Sequence, residues 1–137
     1  MLIATQDPEH FKQIAEMVPL VKDADYTPKE FKVWILKNYN PNLVKVLVDV
    51  DEVTNRVKSS IIDQVVRPLI KDEIFIPIAY IDPHSNGLGE AMWARLEGFA
   101  RFKQAKKISI YTKSRVRSYS RKYGLKVGFF CMEKNVD

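Results

Sequence analysis

Apolar residues recur along the chain with two different periods, and the switches between those periods divide it into elements. A short apolar run at 2–5 predicts a strand. Asp7-Pro8 predicts a helix start, with Asp7 as the cap and Pro8 in the first turn, where a missing amide costs nothing. Phe11, Ile14, Ala15 and Val18 then follow at helical spacing until Pro19 ends the pattern. Thr27-Pro28-Lys29-Glu30 predicts a second start, with Glu30 placed after Thr27 as a capping box requires. Phe31, Trp34, Ile35 and Tyr39 supply its buried face, and Asn40-Pro41-Asn42 breaks it. Beyond that point 43–50 is a dense β-branched run, 56–66 a less regular extended stretch, and 73–81 a strong strand. Pro77 has no amide to donate, which places it at a bulge or where pairing stops. A helix over 88–103 carries Met92, Leu96, Phe99 and Ala100 on one face, with Trp93 beside them. A strand at 107–112, a basic helix at 114–122 stopped by Gly124, and a last strand at 127–132 complete the pattern. The order β-α-α-β-β-β-α-β-α-β predicts a mixed α/β fold, and no repeat or linker divides it, so 1–137 reads as one domain.

Composition narrows the chemistry by exclusion. Hydrophobic residues make up 46% and charged residues 28%, the balance of a soluble globular protein. Cys131 is the only cysteine and His10 and His84 the only histidines, so neither a disulfide nor a metal site is expected. No apolar run approaches the roughly 20 residues that span a bilayer, and the first residues lack the regions of a signal peptide, so a cytoplasmic protein without membrane contact is expected. The net charge of +5 is unevenly spread: 101–126 is rich in Lys and Arg and holds no acid. That stretch fits a solvated basic face, the commoner case, and also an anionic partner such as a phosphate-rich molecule. Tyr111, Tyr119 and Tyr123 interleave with the cations, yet no nucleic-acid motif accompanies them, and nucleic acid is not the expected partner.

The most informative stretch is the passage from strand to helix at 78–92. A loop at 82–86 leads into Gly87-Leu88-Gly89 and then directly into the helix. Such a turn aims free main-chain amides at one point, where the helix dipole adds partial positive charge. A diphosphate suits that arrangement. The turn is not a dinucleotide fingerprint, because Met92 stands where a third glycine belongs, and it lacks the Gly-Lys-Ser/Thr of a P-loop.

His84-Ser85-Asn86-Gly87-Leu88-Gly89 resembles the Gln/Arg-x-x-Gly-x-Gly/Ala turn of the GNAT N-acetyltransferases, with His84 in place of the usual Gln or Arg. The similarity continues through Asp82-Pro83, Leu96-Glu97, Phe99-Ala100, Lys122-Tyr123-Gly124-Leu125 and Met132-Glu133-Lys134. The resemblance implies the acyl-CoA N-acyltransferase fold: a mixed, mostly antiparallel sheet of about six strands flanked by about four helices. It also implies acetyl-CoA as co-substrate and no metal. The pantetheine arm would lie along Ala79, Tyr80 and Ile81, with the phosphates held at His84, Ser85, Asn86, Gly87, Leu88, Gly89 and Glu90.

Acetyl transfer to an amine needs a base, a polarised carbonyl and an acid for the leaving thiolate. Glu73 stands where one branch of the family places its base; a solvated residue at a strand start is the competing reading. A main-chain amide of 79–81 would polarise the carbonyl. The family's Tyr acid falls on Ser120, counting back from Gly124, and its frequent Asn on Lys113. Tyr119 and Tyr111 are the substitutes; Tyr119 is one residue off, a turn of about 100° on a helix. His84 reads either as a phosphate donor or as an exposed loop residue. The resemblance therefore implies an acetyl-CoA-dependent N-acetyltransferase acting on an amine of a small molecule or protein, compatible with a homodimer. The alternative is a catalytically inactive GNAT-like module, as in a viral or mobile-element setting, that acts by binding.

Overall fold

A computed structural model describes residues 1–21, 24, 26–66, 73–110, 116–126, 134 and 136. The elements are β1 (Leu2–Ala4), α1 (Pro8–Glu16), α2 (Pro28–Asn38), β2 (Val44–Val50), β3 (Val57–Val66), β4 (Glu73–Tyr80), α3 (Leu88–Phe102), β5 (Lys107–Ile110) and α4 (Val116–Tyr123), with a 3₁₀ turn at Val18–Leu20. The expected strand at 127–132 lies outside the described residues.

Local signals set the helix starts as expected. The Asp7 carboxylate accepts the Glu9 amide, and Pro8 opens α1. At α2 the box is complete: the Thr27 hydroxyl accepts the Glu30 amide at 3.1 Å, and the Glu30 carboxylate accepts the Thr27 amide at 3.0 Å. At the other end of the chain, Gly124 takes φ +69° and stops α4, its amide bonding the Ser120 carbonyl.

The described strands form one sheet in the order β1-β2-β3-β4-β5. β1 to β4 pair antiparallel and β5 joins β4 in parallel. Helices cover both faces. On one face α1 and α2 bury Ile14, Ala15, Phe31 and Ile35 against Val44, Val46, Val48 and Ile62. On the other, α3 buries Met92, Leu96 and Ala100 against Leu47, Ile61, Val65, Ile74 and Ile76. Alternation along β2 sends even positions to the first core and Leu47 to the second. Each fully buried side chain of this size contributes about 1.5–3 kcal/mol by leaving water.

One irregularity positions the site. Ile62 pairs with Ile78, but Gln64 pairs with Phe75, so β4 carries an extra residue there, in the Ile76–Pro77 step. Pro77 thus sits at a bulge, where its missing amide leaves no gap in the ladder. Before the bulge, Glu73 to Ile76 pair with Lys107 to Ile110 on β5. After it, Ala79 and Tyr80 line a cleft.

Candidate functional site

The loop after β4 is tied down before it reaches the glycines. The Asp82 amide donates to the Ser59 hydroxyl of β3 at 2.7 Å. The Asp82 carboxylate accepts the His84 amide at 2.9 Å and its carbonyl accepts the Ser85 amide at 3.0 Å. Gly87 then takes φ +71° as the cap of α3, a conformation that favours glycine, and no side chain caps the helix. The first helical bond runs from the Ala91 amide to the Gly87 carbonyl at 3.1 Å. The amides of Asn86, Gly87, Leu88, Gly89 and Glu90 have no hydrogen-bond partner among the described residues. They sit at the positive end of the α3 dipole.

Four of these residues, all but Leu88, border a cleft of about 750 Å³. Ile76, Ala79, Tyr80 and Ile81 form one wall, and Ser85, Asn86, Gly87, Gly89 and Glu90 form one end. Ser118, Tyr119, Lys122 and Tyr123 of α4 form the opposite wall, with Ile110. Leu20, Val21, Ala24 and Tyr26, between α1 and α2, border it from the other face of the sheet.

The α4 wall is fixed to α3 by stacked rings. Tyr123 lies on Trp93 with centroids 4.7 Å apart and planes inclined by 18°, and Tyr119 follows at 6.3 Å from Tyr123. The Trp93 indole N–H donates to the Glu97 carboxylate. A β-carbon on Gly89 would come within 2.8 Å of the Tyr123 hydroxyl, so the second glycine makes room for this tyrosine. The Tyr123 hydroxyl is held protonated: burial raises its pKa first, then the charge of Glu90, then Tyr119.

Beneath the cleft lies a carboxyl that the sequence reading did not single out. Asp63 of β3 is fully buried between Ile61 and Val65 on the α3 side of the sheet. Neither of its oxygens has a hydrogen-bond partner among the described residues. Burial raises its pKa to about 7, against the opposing pull of Lys45 directly across on β2.

No family model matches the chain, and no curated protein matches it in sequence. Solved structures match it in shape. An acetyltransferase of Trypanosoma brucei superposes with a TM-score of 0.75 at 16% identity over 99% of each chain. An acetyltransferase of Clostridium acetobutylicum, solved with acetyl-CoA, gives 0.76 at 17% over 98% of this chain and 96% of that one. Glucosamine-6-phosphate N-acetyltransferase of Arabidopsis thaliana gives 0.74 at 13% over 100% and 98%. The fold is that of the GNAT N-acetyltransferases. At these identities the likeness speaks for the fold and not for an activity.

Within this GNAT fold the expected site residues separate into three groups. Ala79, Tyr80, Ile81, Ser85, Asn86, Gly87, Gly89, Glu90 and Tyr119 line the cleft. His84, Leu88 and Glu73 do not. His84 is exposed on the loop, and Leu88 packs against the α3 core. Glu73 opens β4, its carboxylate 3.8 Å from the Lys107 ammonium of β5. It stands at the opposite end of β4 from Tyr80, roughly 23 Å away at about 3.3 Å per residue. Tyr111 lies outside the described residues. Lys122 and Tyr123 were visible in sequence as part of a basic, family-like stretch but not as cleft residues, because the contact that brings Tyr123 to Gly89 spans two elements. Asp63 had a local signal: an acid at the strand-period spacing of Ile61 and Val65.

Proposed function

We propose that residues 1–137 form a single-domain, cytoplasmic N-acetyltransferase that takes its acetyl group from acetyl-CoA and passes it to an amine. The observation that carries this reading is the shared cleft: unpaired amides at the start of α3, the bulged far half of β4 and the tyrosines of α4 all face it. The residues present suit a diphosphate at the turn, since Asn86 to Glu90 offer main-chain donors and Gly87 carries no side chain to block them.

When bound, acetyl-CoA supplies a thioester, whose carbonyl carbon the amine attacks. Alternate amides of an antiparallel strand point away from its partner, so β4 turns one amide of the 79–81 stretch away from β3. That amide polarises the carbonyl as it gains negative charge. The new C–N bond forms as the C–S bond breaks. The amine's proton leaves to solvent, and the thiolate takes its proton from Tyr119, which lines the cleft on α4 and regains one from solvent. The amine enters past Leu20, Val21, Ala24 and Tyr26. Glu73 has no part in this scheme, because it does not line the cleft.

The direct test is calorimetric titration with acetyl-CoA, followed by release of free thiol when a panel of amines is added. Binding with amine-dependent thiol release establishes the activity, and a flat titration at millimolar acetyl-CoA rejects it. A second reading is an inactive module of the same fold. It is favoured by Ser120 in the place of the family's Tyr and by Glu73 lying off the cleft. Binding of acetyl-CoA without thiol release for any amine supports that reading.

A further inference from the structure

The turn has lost its usual Gln or Arg, and the residue in that place, His84, does not line the cleft. Its amide is bonded to Asp82 and its side chain stands on the exposed loop. Two groups on the facing wall fill the same chemical need. Lys122 is the one cation among the described residues that line the cleft, and it has no ion-pair partner among them. Tyr123 follows it. Its ring is fixed by the Trp93 stack, its hydroxyl sits against the Gly89 main chain, and that hydroxyl has no hydrogen-bond partner among the described residues.

We propose that Lys122 and Tyr123, at the last turn of α4, are ligands of the acetyl-CoA diphosphate and replace the missing first residue of the turn. This rests on the acetyl-CoA reading given above. The cation supplies the charge that the turn no longer carries. The phenol, kept neutral by its surroundings, donates a hydrogen bond beside the Gly89 and Glu90 amides. Glu90 and Asp82 are the opposing charges that line the cleft; Glu90 is exposed, so solvent weakens its repulsion, and the Asp82 carboxylate is engaged by the His84 amide. The arrangement also explains the second glycine without appeal to the anion. Residue 89 lacks a side chain because the Tyr123 hydroxyl occupies the position where a β-carbon would press, and so the ligand hydroxyl and the amides converge from opposite walls.

The test compares Kd values for acetyl-CoA and its 3′-dephospho form across Lys122→Gln, Tyr123→Phe and His84→Ala. Lys122→Gln weakens both compounds about tenfold, the scale of one charge-assisted hydrogen bond, and flattens the dependence on salt. Tyr123→Phe weakens both about fivefold, that of a neutral one. His84→Ala changes neither by twofold. A loss confined to acetyl-CoA, absent from the 3′-dephospho form, overturns the proposal by moving the contact to the ribose phosphate. So does unchanged binding in Lys122→Gln, or a His84→Ala loss as large as that of Lys122→Gln. In each of those cases the wild type still binds, and the broader reading survives; a wild type that binds nothing removes both. Placement is checked separately by thermal melts. Gly89→Ala lowers Tm, and the same change in a Tyr123→Phe background lowers it less. Equal drops in the two backgrounds would mean the hydroxyl does not sit at residue 89.

Discussion

At the start of α2, Thr27 and Glu30 satisfy each other's amides and the chain closes its own helix end; at the start of α3, Gly87 has no side chain to offer, and the amides from Asn86 to Glu90 stay unpaired among the described residues beside a cleft. The two ends face the same need, since every helix begins with amides that its own ladder cannot use. The difference teaches where a ligand is to be sought. An end that the chain has capped is structural. An end left uncapped, with a cation and a neutral phenol on the facing wall, is the one to test for an anion.

The sharpest way to break the comparison is to cap α3 from within. Gly87→Asp places a carboxylate where the amides converge, and Asp tolerates a positive φ better than most residues. It should supply the missing cap and close the site by charge, weakening acetyl-CoA binding by about 100-fold or more, or roughly 3 kcal/mol. Tm should change by only a few degrees. Retained affinity in a folded Gly87→Asp protein would show that these amides do not hold the phosphates.

A different kind of unpaired group lies behind the cleft. The Asp63 carboxyl is buried and does not line the cleft, so here the missing partner is a cost to the fold. Its folded pKa, about 7, lies above the unfolded value of about 3.9. Between those values the folded state keeps a proton that the unfolded state has lost. Stability therefore falls as pH rises from about 4 to 7, and the penalty is complete above 7. Asp63→Asn removes it, raising stability at pH 8 on the order of 2 kcal/mol, or roughly 5–10 °C in Tm, and leaving pH 4 nearly unchanged. Equal effects at the two pH values would mean that the carboxyl is not buried unpaired.

What the sequence revealed of this molecule follows the range of the interactions involved. The caps of α1 and α2 and the bulge at Pro77 were legible because each is written within a few residues: Asp7-Pro8, Thr27 with Glu30, a proline inside an apolar run. The Gly87 turn was legible for the same reason. Its donor set was legible in principle, since an Asp commonly bonds the amide two residues on, and Asp82 takes the His84 amide in this way and the Ser85 amide at its carbonyl. The reason for Gly89 was hidden because it depends on a tyrosine of α4, brought near by the Trp93 stack. Counting along a strand placed Glu73 correctly at the start of β4, but the cleft opens beyond the bulge, and that depends on how three strands pair.

Thr27→Ala sharpens the comparison from the side of α2. Losing the cap hydroxyl leaves the Glu30 amide to water and should cost about 1 kcal/mol of stability. Acetyl-CoA affinity should stay within twofold, since Thr27 does not line the cleft. A denaturant melt and a titration on the same preparation separate the two quantities. A matching loss in both would mean that the two helix starts are coupled.

The smallest effect is expected at Glu73, and it carries a decision out of proportion to its size. Its carboxylate is about one-fifth exposed and faces Lys107 at 3.8 Å, while the Lys107 side chain is 65% exposed. A pair so open to solvent contributes little, about 0.5 kcal/mol or less. Glu73→Gln should therefore leave Tm nearly unchanged, and the kcat and acetyl-CoA Kd within twofold. If Glu73 instead took the proton from the amine, the same change would lower kcat by about 100-fold or more and remove the acidic limb of the pH–rate profile, with Tm unmoved. Measuring the profile of this one variant separates a strand-end ion pair from a general base. In the first case the amine's proton leaves to water; in the second, β4 must bring its first residue to a cleft that opens beyond the bulge, and the pairing of Glu73 with Lys107 across β5 holds it away.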